Sequence, residues 1–313
     1  HWILRLGEMA LTFQEKLRAR RFVITAEVTP PVSVDPGELL AKALPLKGLA
    51  DAINVTDGAG ARPHLGAVTA ATILVEQGIE PILQLTCRDR NRIALQSDLL
   101  SAAASRIRNL LMLRGDDPSA GDQPDAMPVF DLDPRSLLET ARQLRDSGEL
   151  PTGRKVGGRI DFFLGSADNP IDPQPGWRPT GLQAKIAAGA QFAQTQFCMD
   201  AGVARRYMAR LAETGVTDRL SVLIGIVPLR SAKSARWIKE KLFGSVVPDA
   251  LIQRMERASD PLAEGRRICI EMVSELADVA HVSGVHIMAP GNEASVPEVI
   301  KAARESIKRL APA

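Results

Sequence analysis

The chain has 313 residues, 45% hydrophobic and 24% charged, an ordinary globular composition with material for one large core. Its 39 basic and 37 acidic residues leave a net charge of +2, and no basic stripe is interleaved with aromatics, which argues against nucleic-acid binding. No apolar run reaches the roughly 20 residues of a membrane span. Three widely spaced cysteines (Cys87, Cys198, Cys269) make no disulfide framework, so a reduced cytoplasmic setting is expected.

The opening HWILRLGEMALTF carries Arg5 and Glu8 and lacks the apolar stretch and cleavage pattern of a secretory signal. Residues 1–11 are read as an N-terminal extension. From there strand-like and helix-like segments alternate to the end. FVITAEVTP (22–30) precedes GELLAKALPLKG, and DAINVTD (51–57) precedes LGAVTAATILVEQG. EPILQLTC (80–87) and NLLMLRG (109–115) are each followed by a helical pattern, as are RIDFFLGSA (159–167) and QFAQTQFC (191–198). LSVLIGIVP (220–228) precedes several helical stretches, and GVHIMAP (284–290) precedes the last one. Gly48, Gly78, Gly148 and Gly215 punctuate helix ends.

Eight βα units predict a parallel sheet closed into a (β/α)8 barrel, one domain over 1–313, with extra helices at 248–280 between units 7 and 8. Those extra helices read as packing or as a homo-oligomer surface. An open doubly wound sheet is the alternative, but its nucleotide fingerprint is incomplete: TDGAGARPH (56–64) offers Gly58 and Gly60 and no third glycine. Two connections are long, 116–134 and 166–180, and both follow strand ends on the face where barrel active sites are built. They are either ligand walls or tolerated surface insertions.

Side chains alternate along a strand, and a barrel strand must turn its apolar face outward to the helices. Ile24, Ala26 and Val28 therefore face out, while Thr25 and Glu27 point into the barrel. The same test turns Asn54, Thr56, Gln84, Thr86, Gln194 and Gln196 inward, and Arg114, Gly115 and Asp116 crowd the end of strand 4. A hydrogen-bonded polar interior explains any one of these. Glu27 and Asp116 together favour function, since a buried acid is seldom kept without a partner or a task. No histidine (His1, His64, His281, His286) shows a metal-ligand spacing, and no G-x-S-x-G elbow is present. The cysteines read as small core residues. Acid–base chemistry with a bound cofactor or a polar organic ring remains.

Six motifs then stand in order on successive strands: AEVTPP, INVTDGAGARP, LQLTCRDRNR, LLMLRGDDP, KIAAGAQFAQTQFCMD and IGIVPL. Together they resemble the methylenetetrahydrofolate reductase family, over residues 12–310; the TCRDRN form looks like the branch found in folate–methyl pathways and methionine biosynthesis. The resemblance implies a flavoprotein with FAD across the barrel mouth, reduced by NADH or NADPH. Hydride then passes to 5,10-methylenetetrahydrofolate in a ping-pong cycle, giving 5-methyltetrahydrofolate, a reaction that can also run in reverse. By motif, Glu27 matches the general acid, Asp116 the acid near flavin and pterin, and Gln196 the pterin ligand. Thr56, Ala59, Arg114, Gly115 and Lys185 match flavin contacts. Gln84 stands where the family carries a histidine, and Gly165 and Asn169 align with its tyrosine and histidine after strand 5. Gly291–Asn292 replaces an Asn–Arg pair. Phe130, Asp131 and Trp177 are then expected to rebuild the adenosine contacts. Two other readings stay open: a relative that takes hydride directly from NAD(P)H without flavin, and a non-catalytic barrel partner subunit. A barrel lyase would want a Schiff-base lysine inward on a strand, and none stands there.

Overall fold

The computed structural model describes residues 10–310. Most of the N-terminal extension, with His1, Arg5 and Glu8, lies outside the described residues. Eight strands form: β1 (Val23–Val28), β2 (Ala52–Val55), β3 (Pro81–Thr86), β4 (Asn109–Leu113), β5 (Phe163–Asp168), β6 (Phe192–Phe197), β7 (Ser221–Ile226) and β8 (Val282–Ile287). All pair in parallel with their sequence neighbours, and β8 closes on β1. Each expected strand is present. β4 stops at Leu113, so Arg114, Gly115 and Asp116 belong to the loop beyond it.

Helices α1 (Phe13–Arg18), α2 (Pro36–Ala43), α3 (Ala67–Glu76), α4 (Arg92–Ala104), α5 (Pro134–Ser147), α6 (Thr180–Ala188) and α7 (Ala201–Glu213) alternate with the strands. After β7 come α8 (Ala232–Lys241), α9 (Asp249–Glu256) and α10 (Pro261–Ala277), and α11 (Val296–Leu310) ends the barrel. Most helix starts are set locally. Asp35, Asn91, Asp133, Asp200, Ser231 and Asp260 each accept a hydrogen bond from a first-turn backbone N–H, which satisfies an otherwise orphaned donor. The extra helices need one refinement. α10 packs against α7, α11, β7 and β8, so it is the ring helix of unit 7, and the insertion is the α8–α9 pair.

The core has two parts. Ile24, Ala26, Val28, Ile53, Val55, Leu83 and Leu85 face outward and pack beneath the helices. Val23, Ala52, Ile82, Leu111, Phe163, Phe192 and Leu223 fill the lower barrel, together with Phe13 and Leu17 of α1. α1 thus caps the N-terminal end. Phe13 meets Phe163 and Phe192 edge-on, with ring centroids 5.8 and 5.3 Å away. Gly165 is required here, because the Phe192 ring occupies the space its Cβ would take. The interior is therefore apolar at the bottom and polar toward the mouth: along β1 the inward series runs Val23, Thr25, Glu27.

Phe13 is fully buried, so Phe13→Ala is expected to lose roughly 3–5 kcal/mol of stability. Urea unfolding measures this, and a loss below about 1 kcal/mol would contradict the role of α1 as a packed cap.

Candidate active site

A cavity of about 230 Å³ opens at the C-terminal mouth. Its wall includes Glu27, Gln84, Leu111, Leu113, Asp168, Gln194, Thr195, Gln196 and His286. Glu27, one residue before the end of β1, keeps 22% of its side chain exposed. Gln84 Nε2 donates to its Oε2 at 3.1 Å, and His286 Nε2 lies 3.5 Å from the same oxygen. Below them the polar groups satisfy one another. Asn54 and Gln194 exchange amide hydrogen bonds of 2.6 and 3.0 Å, Gln194 Nε2 donates to Thr25 Oγ1 at 3.1 Å, and Thr25 Oγ1 lies 2.9 Å from His286 Nδ1. Of the residues expected inward, Thr25, Glu27, Asn54, Gln84 and Gln194 converge as one ladder with His286, while Thr86 bonds Asp57 instead.

His286 lines the cavity without any motif to mark it, and it shows no metal-ligand spacing. Strand alternation in β8 does mark it: Gly284 and His286 share a face, and Thr25 pairs with His286 in register. β6 departs from strict alternation. Its register with β7 shifts between Gln194 and Phe197, so Thr195 also reaches the mouth beside Gln194 and Gln196. Gln196 turns its Oε1 to the Phe197 N–H at 3.0 Å.

Asp116 is not a buried strand acid. It is exposed, three residues beyond β4, and its Oδ2 accepts from the Gly60 N–H at 2.9 Å. The reason is the TCRDRN segment. Arg88, buried at 3% exposure, donates to the carbonyls of Gly58 (3.1 Å) and Asp116 (3.2 Å), and Asp89 holds its guanidinium. The loops after β2 and β4 are thereby clamped to one side chain. Two glycines make room for the clamp. A Cβ on Gly58 would overlap the Arg88 guanidinium, and one on Gly115 (φ +93°) would lie 3.0 Å from Arg88 Cβ. Arg90 joins Asp57 and Asp98 beneath.

The candidate cofactor contacts divide into two groups. Arg114 is exposed, lies 4.2 Å over the Phe130 ring, and has no ion-pair partner among the described residues. Thr56 Oγ1 is buried with no hydrogen-bond partner, and Ala59 and Gly60 form a loop with open space above Gly60. These fit a flat polar ring and its phosphates. Lys185 instead turns to the Ala167 carbonyl and lies 3.8 Å from Asp168. Burial pushes the Asp168 carboxyl above its usual range, and the Tyr207 hydroxyl donates to it. Asp131 is held by Arg92 in a bidentate pair, which keeps its carboxyl down at about 2. Asn169 packs under Gly244, and Arg210 donates to the Trp177 carbonyl at 2.9 Å. Both long loops are thus pinned to the helices.

The methylenetetrahydrofolate reductase family model matches residues 12–304. The chain belongs to that family. A Pectobacterium carotovorum subsp. carotovorum relative named 5,10-methylenetetrahydrofolate reductase is 30% identical over 221 residues, covering 68% of this chain and 66% of its own length. A Caenorhabditis elegans relative named probable methylenetetrahydrofolate reductase (NADPH) is 28% identical over 74% of this chain, but the match spans only 33% of its length. Among solved structures, a Clostridium thermocellum protein described as binding two copies of 5-methyl-5,6,7,8-tetrahydrofolic acid shares the fold, with TM-score 0.63 and 15% identity over 95% of this chain and 99% of its own. No helix among the described residues is long and apolar enough to cross a membrane.

The thiols take no part in the site. Burial pushes Cys87 up to about 11 and Cys198 up to about 12, and fully buried Cys269 is raised as well. At pH 8 roughly one Cys87 in a thousand is thiolate. A disulfide reagent added to folded protein at pH 8 is therefore expected to leave all three unmodified over minutes, and to react with three after unfolding in urea. Rapid labelling of a thiol in the folded protein would contradict the packing described.

Proposed function

We propose that this chain reduces 5,10-methylenetetrahydrofolate to 5-methyltetrahydrofolate. The observation that carries the reading is the placement of Glu27: an acid inside the barrel mouth, with Oε2 held by Gln84 and with access to the cavity. The substrate must lose its bond between the bridging methylene and N10 before it can accept hydride. Glu27 gives its proton to N10, the carbon–N10 bond breaks with its electron pair going to N10, and a cationic iminium at N5 remains. Hydride addition to that carbon completes the methyl group. A general acid in this position contributes roughly 10²–10⁴-fold. Asp116, fixed by Gly60 and Arg88, presents a negative charge suited to the iminium cation. Gln196, whose Oε1 is taken by the Phe197 N–H, offers its amide Nε2 to a pterin ring, with Leu111 and Leu113 as its apolar wall. The relatives' names and the folate described for the Clostridium protein support a folate substrate.

A bound FAD would supply the hydride, with NADH or NADPH as electron donor. Thr56, Ala59, Arg114 and Gly115 are the residues that would hold it: an unpartnered hydroxyl, an open glycine loop and a free guanidinium suit its polar ring and phosphates. A second reading is favoured by Lys185 and Asp131. Both are committed to partners within the chain, which suits a relative that takes hydride directly from a nicotinamide.

Purified protein separates the two. Yellow protein that bleaches with NADH and recovers its colour with methylenetetrahydrofolate supports the flavin route; nicotinamide oxidation by colourless protein supports the direct one. In either case Glu27→Gln is expected to lower folate turnover at least ~10²-fold while leaving nicotinamide binding in place. Unchanged turnover would remove Glu27 from the mechanism.

A further inference from the structure

The reaction proposed above takes one proton from Glu27 per turnover. Two nitrogen atoms, from Gln84 and His286, address a single carboxylate oxygen. Each turnover needs a fresh proton brought to that carboxyl.

His286 is placed to store that proton, and Thr25 shows how. The Thr25 hydroxyl accepts from Gln194 Nε2 at 3.1 Å and has one proton of its own to give. Two acceptors lie within its reach: His286 Nδ1 at 2.9 Å and the Val285 carbonyl at 3.4 Å. Turned to Nδ1, the hydroxyl fits a neutral imidazole whose only proton is on Nε2, facing Glu27. Turned to Val285, it accepts from Nδ1–H. Nε2 is then free to be protonated beside an ionised Glu27, or bare beside a protonated one. The same three side chains thus satisfy their hydrogen bonds with the proton on His286, with the proton on Glu27, and after it has left.

We infer that Glu27 and His286 form a dyad that holds one proton between them, with His286 as its reservoir and Thr25 as the rotor that accommodates each state. This rests on the reading of Glu27 as the acid. In the catalytic step the carboxyl proton of Glu27 goes to folate N10. That proton reaches Glu27 beforehand from Nε2 of a charged His286, which leaves a neutral imidazole with its proton on Nδ1. His286 is buried, so the next proton enters from solvent through the mouth, where Glu27 is partly exposed. The other groups facing the imidazole leave this balance to the pair. β7 contributes Gly225 opposite His286, β6 and β3 contribute Gln194, Gln196 and Gln84, and the other carboxyl lining the cavity, Asp168 on β5, is occupied by Tyr207 and Lys185, while Asp116 on the loop beyond β4 is held by the Gly60 N–H.

The test is the protonation of His286, read by nitrogen NMR on ¹⁵N-labelled protein across pH, with the signal assigned by its loss in His286→Gln. In the unsubstituted protein His286 is expected to keep its proton to a pH roughly one unit higher than in Glu27→Gln, a tenfold change in proton affinity. Equal midpoints in the two proteins would overturn the dyad. His286→Gln keeps an N–H donor toward Glu27 but stores no proton. Its folate kcat is expected to fall roughly 10–100-fold, more steeply as pH rises, with KM within about twofold. A purely structural role predicts a loss independent of pH. If His286→Gln does not fold, assignment through the Glu27-dependent shift of the buried imidazole signal still decides the question. Full turnover in Glu27→Gln would instead refute the acid assignment, whatever His286 does.

Discussion

Polar side chains turned into the centre of a closed barrel are cut off from bulk water and draw their hydrogen-bond partners chiefly from one another. That constraint organises this molecule. Asn54, Gln194, Thr25, His286, Glu27 and Gln84 come from five different strands, and their hydrogen bonds run in one connected series from the barrel centre to its mouth. An unpaired polar group at this depth costs about 1–3 kcal/mol. The series is therefore a condition of folding as well as a setting for chemistry. Its lower boundary is equally sharp: beneath Thr25 the interior turns to Val23, Phe163, Phe192 and Phe13.

The second organising element is Arg88. A single buried guanidinium, neutralised by Asp89, joins the carbonyls of two loops that are far apart in sequence. Gly58 and Gly115 are kept free of side chains around it. The exposed acid Asp116 owes its position to this clamp and to the Gly60 N–H, not to a strand. Loops at a barrel mouth are usually the mobile part of the fold. Here the loops after β2 and β4 are fastened to one buried side chain just beyond β3.

Much of this was legible before any coordinates. Alternation along the strands needs no tertiary information, because the helices outside demand apolar partners; it turned Glu27, Gln84, Asn54 and Gln194 inward, and the sheet shows them there. The same rule failed at β6, where a register shift brings Thr195 to the mouth, and a bulge leaves no mark on a period of two. Asp116 was read as part of the end of strand 4, because RGD directly follows an apolar run. The positive φ of Gly115 breaks the strand's continuation there. Lys185 and Asp131 carry charges suited to a cofactor, yet each found a partner inside the chain, Asp168 and Arg92, and pairing across loops is a tertiary fact. His286 carries no metal-ligand spacing, and only the alternation of β8 marks it in the sequence.

The cap formed by α1 carries a consequence of its own. With Phe13 packed edge-on against the stacked pair Phe163 and Phe192, aromatic rings fill the lower end of the barrel. The exposed edge of Glu27 lies at the opposite end, in the mouth. On the reading proposed above, reductant, one-carbon substrate and solvent proton all use that mouth, so occupancy by one is exclusion of the next.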